Sequence, residues 1–347
     1  MRSSIFDKIM QEADSEFSTK VSEGNEADIS SYTDTGSYSL NAIISGSIYG
    51  GLPDNKIIGL AGDPSTGKTF YSLSIVKHFL DHNPEGETFY FESESAITTQ
   101  MLEERGIDTQ RFRLMPVATI QEFRTQVLKV VNAYLEIDKK KRPPMFLVLD
   151  SLGGLSTIKE IKDMTEGSET KDMGRPALIK AAFRVLTLKL ARAKVPMIVT
   201  NHVYASMNPY GEAKTMGGGT GLQYAASQVL MLSKSKRTDT STKEVTGAII
   251  NVKTHKSRWT IENKKIETLL DYQTGLNRYY GILDVAEAHD LVKRVGNKYS
   301  FPNGEVAFEN AVYKNPEKYF TKELLDAIDE VTKKEYRYGT ANAMDTE

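Results

Sequence analysis

The sequence predicts an α/β fold: a largely parallel central sheet flanked by helices, with a short helix ahead of it and a small region behind it. Three observations carry this expectation. Between Gly36 and about Gly281, short apolar runs alternate with longer amphipathic stretches, the order that builds a parallel sheet through helical crossovers. One of those runs leads without a break into a glycine-rich turn and then a helix-period segment. The composition of 39% hydrophobic and 26% charged residues is that of a soluble globular chain, which excludes a disordered or fibrous one. The length of 347 residues leaves room for about two domains.

Along the chain, residues 4–18 place Ile5, Ile9 and Met10 at helical spacing, with Phe6 beside them, and predict a short amphipathic helix. Residues 21–39 are rich in Ser, Glu, Asp, Gly and Thr and read as a linker. Strands are expected at 56–61, 88–91, 145–149, 196–200, 228–232 and 246–253, and helices at 68–81, 98–105, 120–136, 174–193 and 219–226. After Gly281 the chain turns charged and mostly helical, with a hairpin expected around Pro302-Asn303-Gly304. The expected division is therefore an N-terminal helix and linker at 1–34, a core at 35–281 and a small C-terminal region at 282–347. With no cysteine there is no disulfide, thiol nucleophile or Cys-ligated zinc. The longest apolar run, Met145 to Leu149, is far too short to cross a bilayer, and the first residues lack an apolar signal core. Membrane, secreted and disulfide-stapled classes are excluded on these grounds.

The formal net charge of −2 conceals a strong asymmetry. Residues 151–281 carry 20 Lys/Arg against 11 Asp/Glu, a net +9, whereas residues 1–50 and 282–347 are net −5 and −4. A basic middle between acidic ends suggests a polyanion partner confined to one face.

The run at 56–61 enters Gly62-Asp63-Pro64-Ser65-Thr66-Gly67-Lys68-Thr69, a complete G-x-x-x-x-G-K-[ST]. Glycines let backbone amides turn inward around the phosphates of a nucleotide, and the following helix adds its N-terminal dipole. Lys68 neutralises phosphate charge, and the Thr69 hydroxyl can ligate Mg²⁺. A second apolar strand ends in Asp150, placed to hold the magnesium shell. Hydrolysis needs a group that orients or deprotonates water. The strand at 88–91 ends in Glu92-Ser93-Glu94, within reach of the phosphates if it neighbours the P-loop strand; spacing alone does not choose between the glutamates.

Several ordered motifs surround this site: Thr35-Gly36-Ser37-Tyr38-Ser39-Leu40-Asn41 and Gly50-Gly51-Leu52-Pro53 upstream, Phe91-Glu92-Ser93-Glu94, Leu149-Asp150-Ser151, Thr200-Asn201-His202, Met216-Gly217-Gly218-Gly219-Thr220-Gly221 and Lys256-Ser257-Arg258. Over roughly residues 35–280 this arrangement resembles the RecA family of strand-exchange ATPases, and within it the branch found in T-even-type tailed phages. The resemblance implies a RecA-like P-loop ATPase core that uses ATP and Mg²⁺. It gives Glu94 the water-activating role, and makes His202 the sensor of the γ-phosphate that signals to a DNA-binding loop. It makes Lys256 and Arg258 a pair reaching across a filament interface to a neighbour's ATP, and it implies that the N-terminal helix docks on the next subunit, where the residues alone also allow packing on its own domain. After the catalytic glutamate the family commonly places an Asp and a Tyr around the adenine. Thr98 and Met101 stand there instead, so adenine contact is expected to be looser or to come from elsewhere.

Two stretches then resemble the family's DNA-binding loops, about 156–174 and 203–219. Arg175, Lys180 and Arg184 offer cations along the helix after the first. Gly217, Gly218, Gly219 and Thr220 offer backbone amides for a DNA phosphate. Tyr204, Met207 and Tyr210 could stack on or wedge between bases without reading sequence. The function implied is a cytoplasmic, ATP-dependent DNA recombinase that forms a helical filament on single-stranded DNA and exchanges strands with homologous duplex. Its accessory partners would be a recombination mediator and a single-strand-binding protein. Two rivals use the same residues: a hexameric helicase on the same core fold, and a non-catalytic paralogue that loads a partner recombinase. Intact Lys68 and Glu94 argue against the second.

Overall fold

The computed structural model describes residues 5–12, 21–168, 172–205, 214–217, 221–238 and 245–339. A first helix, α1 (Ile5–Glu12), leaves Ile5 and Ile9 exposed. The two-residue strands β1 (Tyr32–Thr33) and β2 (Leu52–Pro53) pair around α2 (Tyr38–Ser45), which Ser37 caps by accepting the Leu40 amide. Then come β3 (Ile57–Gly62), α3 (Lys68–His82), β4 (Glu87–Glu92), α4 (Thr99–Glu104), β5 (Phe112–Pro116), α5 (Ile120–Glu136) and β6 (Met145–Asp150). They are followed by α6 (Ile158–Thr165), α7 (Arg175–Ala193), β7 (Met197–Ala205), β8 (Lys214–Met216), α8 (Gly221–Ala225), β9 (Gln228–Thr238), β10 (Val245–Ser257), β11 (Lys265–Asp271) and β12 (Gly275–Leu276).

The main sheet runs β12-β11-β10-β9-β3-β7-β6-β4-β5, with β8 folded back on the end of β7. From β9 to β5 all neighbours are parallel, while β10, β11 and β12 add antiparallel partners at one edge. The fold is thus the α/β class that the alternation predicts. Helices cover both faces, so β3 and β6 are buried throughout and read as continuous apolar runs. Along β6, Phe146 and Val148 enter one core with Tyr71, Phe79 and Ile198, while Leu147 and Leu149 enter the other with Phe123, Phe183 and Val199.

Strands β5 and β11 escape the sequence reading, as do the short β1, β2, β8 and β12, and the sheet order differs from expectation at one point. The strand bearing the glutamates, β4, does not neighbour β3; β7 and β6 lie between them. The C-terminal region contains more than helices. Strands β13 (Lys293–Val295), β14 (Lys298–Ser300) and β15 (Val306–Phe308) form a small antiparallel sheet, and the expected hairpin at Pro302–Gly304 joins the last two. Around it lie α9 (Ile282–Ala288), α10 (Glu309–Lys314), α11 (Pro316–Tyr319) and α12 (Lys322–Tyr336). Their buried side chains Ile282, Val312, Leu324 and Ile328 join the same core as α2 and α3. The junction is also polar: Asp329 accepts from the Ser47 hydroxyl and the Ile48 amide.

Candidate nucleotide site and its surroundings

Parallel register places the site. Gly62 at the tip of β3 stands opposite His202 on β7, and Asp150 at the tip of β6 stands opposite Glu92 on β4. Four strand tips thus line one edge of the sheet, where ligands bind in such folds. Gly67 takes a left-handed conformation (φ 89°) to turn the loop into α3, and a Cβ on Gly62 would stand 2.8 Å from the Leu232 carbonyl oxygen. Lys68 is buried and donates to the Gly62 and Asp63 carbonyls at 3.0 and 2.9 Å. Burial lowers its pKa from the ordinary lysine value, against the opposing pull of Asp150, Glu94 and Asp63. A cavity of about 360 Å³ is lined by Ser65, Thr66, Gly67, Lys68, Thr69, Glu94, Asp150 and His202 together. Pro64 lies within the same loop.

The two glutamates separate cleanly. Glu92 is buried, and its carboxylate accepts the amides of Glu94, Ser95 and Ala96 at 2.8 to 3.0 Å, so it builds the turn. That turn throws Glu94 back across β6, which is how a residue on a distant strand reaches the cavity. Glu94 accepts from the Ser151 hydroxyl at 2.7 Å and meets His202 Nε2 at 3.1 Å. Burial would raise its pKa, but Ser151, His202 and the Lys68 charge outweigh burial and hold the carboxyl below its ordinary value. His202 Nδ1 lies 3.4 Å from the Lys68 ammonium. Because the ammonium can only donate, these partners assign the neutral imidazole with its proton on Nε2, facing Glu94.

Asp150 is set by two residues that motif reading missed. Tyr90 donates to its Oδ2 at 2.7 Å and Thr200 to its Oδ1 at 2.5 Å. Burial, then the Asp150 charge, pushes the Tyr90 phenol well above its ordinary pKa, so it remains a donor. Sequence gave a weak signal for both: each lies on an apolar strand flanking Asp150, one residue type out of place. Lys234 is another missed residue; it lines the cavity and donates to the Ser65 carbonyl at 3.3 Å.

Beside this cavity, sharing Phe70, Leu270 and Tyr272 with it, lies a second of about 550 Å³. The Arg105 guanidinium stacks 4.4 Å above the Phe70 ring on its wall. Thr98 and Met101 do not line it; Thr98 caps α4 by accepting the Met101 amide.

Lys256 and Arg258 lie elsewhere. Ser257 pairs with Gln228, and Gln228 with Ile58, so they sit at the end of the sheet opposite Lys68. Lys256 donates to the Gln223 and Ala226 carbonyls at the end of α8, and Arg258 approaches the Tyr224 carbonyl at 3.4 Å. Burial, then the Arg258 charge, lowers the Lys256 pKa. Lys180 belongs with this group by position, its ammonium 5.3 Å from the centre of the Tyr224 ring. Arg184 is exposed one turn further along α7, and Arg175 turns inward to the Gly153 carbonyl at 3.1 Å.

In the second loop, β7 and β8 pair antiparallel, with Tyr204, exposed, opposite Thr215. Asn201 donates to the Gly217 carbonyl, and the Gly217 amide donates to the His202 carbonyl at 2.9 Å. Met207, Tyr210, Gly218, Gly219 and Thr220 lie outside the described residues. The first loop is not wholly irregular: Thr157 and Glu160 form a capping box that starts α6.

A phosphate-binding loop between β3 and α3, a buried aspartate on the second strand over and a glutamate folded back from beyond it define a P-loop nucleotide-binding domain. The chain belongs to the RecA family: the RecA N-terminal domain model matches residues 4–277. It is similar to the "Recombination and repair protein" of Enterobacteria phage T4, 30% identical over 247 residues, 71% of this chain and 61% of that one. It is also similar to "Protein RecA" of Mycoplasmopsis pulmonis, 26% identical over 278 residues (79% and 76% of the two chains), and of Paracoccus denitrificans, 25% over 277 (78% and 71%). The matched segment spans about three fifths of the phage relative's length.

Proposed function

We propose that this chain is an ATP-dependent DNA recombinase that assembles on single-stranded DNA as a helical filament, pairs it with homologous duplex and exchanges strands. One observation carries the reading most: His202 bridges Lys68 and Glu94 while its backbone holds Gly217 at the foot of the second loop. A residue so placed links the terminal phosphate of a nucleotide to the segment expected to meet DNA. In this reading Lys68 holds the phosphates and Glu94 orients and deprotonates the attacking water. The donor set fits Mg²⁺: the Thr69 hydroxyl and the Asp150 carboxylate, both hard oxygen ligands, line one cavity with the phosphate lysine. When bound, that ion neutralises charge on the β- and γ-phosphates. Lys256 and Arg258 serve a neighbouring subunit's nucleotide, α1 docks on the next subunit, and residues 282–347 act as an accessory region.

The deciding experiment measures ATP hydrolysis with and without single-stranded DNA, alongside strand exchange with homologous duplex. Stimulation by single-stranded DNA and product strand are expected, both lost in Lys68→Ala. Duplex unwinding by closed hexamers, without exchange, would replace this reading with the helicase.

A further inference from the structure

Arg175 stands among the cations expected to meet DNA, yet its half-buried side chain turns back onto the protein's own backbone. Its Nη2 donates to the Gly153 carbonyl at 3.1 Å, and its Nε is buried with no partner among the described residues. A cation serving a DNA phosphate gains nothing by burying an unpaired donor. The Gly153 contact does hold something specific, the turn after β6. A Cβ on Gly153 would stand 3.0 Å from His202 Cδ2 and 3.2 Å from Asn201 Oδ1, so that turn packs directly on the His202 ring. Two residues earlier, Ser151 donates to Glu94, and Ser93 brackets the Ser151 backbone by accepting its amide and donating to its carbonyl. One turn is therefore the common wall behind Glu94 and His202, and Arg175 clamps it from the start of α7.

The other side of the clamp leads into the first loop. The Arg175 amide donates to the Asp172 carbonyl at 3.2 Å. The Asp172 carboxylate accepts from the Thr157 hydroxyl at 2.8 Å and from the Gly174 amide. Thr157 caps α6, so the two stems of the loop are tied together beside Arg175. Between them, α6 presents Ile158, Ile161 and Met164 to solvent within the segment read as DNA-facing.

We propose that Arg175 is a positioning residue that couples the first loop to Glu94. Engagement of the loop moves the Asp172–Arg175 turn, and the Gly153 carbonyl passes that movement to Ser151 and so to the Glu94 carboxylate. Arg175 itself touches neither DNA nor nucleotide. The proposal rests on the reading of this segment as a DNA-facing loop.

The test uses the full chain with Arg175→Ala and Arg175→Lys, and Arg184→Ala for comparison. A fluorescent single-stranded thymidine oligonucleotide reports binding across a salt series with a non-hydrolysable ATP analogue, and hydrolysis is measured at saturating oligonucleotide. For Arg175→Ala, affinity stays within about twofold and the salt slope is unchanged, while kcat falls about tenfold or more, as expected when a reacting group is misplaced. Arg175→Lys, which can still donate to the Gly153 carbonyl, recovers part of the rate. A salt slope lowered by about one with kcat intact makes Arg175 a phosphate contact and overturns the proposal. If Arg175→Ala does not fold, Arg175→Lys decides alone: reduced kcat at unchanged affinity supports the coupling, and weakened binding at unchanged kcat refutes it. A wild-type protein that hydrolyses ATP but ignores the oligonucleotide removes the DNA-loop reading, and the coupling with it, while leaving the nucleotide site standing.

Discussion

The two glutamates at the tip of β4 give the sharpest test, because their surroundings assign them opposite jobs. Glu92 Oε1 accepts the Glu94 and Ala96 amides, and Oε2 accepts the Ser95 amide. Glu92→Gln keeps one acceptor oxygen and turns the other position into a donor facing an N–H. At least one amide at this buried position loses its acceptor, which costs about 1–3 kcal/mol; the lost bond is to a carboxylate, which favours the upper half of that range. The turn also carries Glu94, so kcat falls by about tenfold or more even where the fold survives. Glu94→Gln keeps the side chain's shape and its Ser151 contact but removes the carboxylate proposed as the base. Its stability is expected within about 1 kcal/mol of wild type, with kcat reduced about 10²–10⁴-fold and nucleotide affinity retained. The single tryptophan, Trp259, donates to the Ile44 carbonyl against the core, so urea unfolding followed by its fluorescence reports global stability. Hydrolysis at saturating single-stranded DNA completes the comparison. Normal turnover by Glu94→Gln, with Glu92→Gln as stable as wild type and inactive, would reverse the two assignments.

Other expected outcomes follow from the same geometry. Ser151→Ala removes a hydrogen bond that favours ionised Glu94, so the acid limb of the hydrolysis profile should move to higher pH; an unmoved limb with unchanged kcat denies the contact any role. Arg278 Nη1 donates to both carboxylate oxygens of Asp34 at 2.8 Å. Burial alone would raise Asp34, yet His78, Arg278 and Asn41 depress it strongly. A depressed carboxylate stabilises the fold above its unfolded pKa of about 4 and loses that contribution as pH falls. Arg278→Ala should therefore cost about 1–3 kcal/mol at pH 7 in urea unfolding, and progressively less below pH 4. Tyr90→Phe should weaken Mg²⁺ binding, raising the magnesium needed for half-maximal hydrolysis, because Asp150 loses one of the two donors that orient it.

How much of this could be read from the sequence depends on where the determining interactions lie. The P-loop, Asp150 and the helices around them are local patterns: a continuous apolar strand, a fixed spacing, a helical period. They fall where expected because both faces of β3 and β6 are buried and leave no ambiguity of period. Strand β5 escapes pattern reading because it is the sheet's outer parallel strand, with only Phe112 buried among Arg113, Leu114, Met115 and Pro116. The helix α6 was missed inside a polar stretch, although Thr157 and Glu160 spell a capping box that would have revealed it. Sheet order is a different kind of information. Nothing near residues 88–94 says that two strands will separate β4 from β3, and the choice between Glu92 and Glu94 turns on what each meets across that gap.

The placement of Lys256 and Arg258 has a consequence for assembly. Ile58 and Gly62 are four residues apart on β3, so the pair lies roughly 13 Å down the sheet from the phosphate loop, at its other end. No side-chain rotation closes that gap within one chain. If these cations act on a nucleotide, they act on a neighbour's, and a head-to-tail stack is the arrangement that brings one end of the sheet to the opposite end of the next. Lys256 now spends its donors on the carbonyls ending α8, so reaching across means exchanging those bonds for phosphate contacts, an exchange that only a seated nucleotide and an adjacent subunit together make favourable. Mixing therefore separates the two halves of a shared site. Lys68→Ala keeps the donated cations, Arg258→Ala keeps the phosphate loop, and each alone should be inactive. Together they should recover a fraction of wild-type hydrolysis that rises with protein concentration, whereas strict inactivity of the mixture would place both functions in one chain and contradict the sheet's own dimensions.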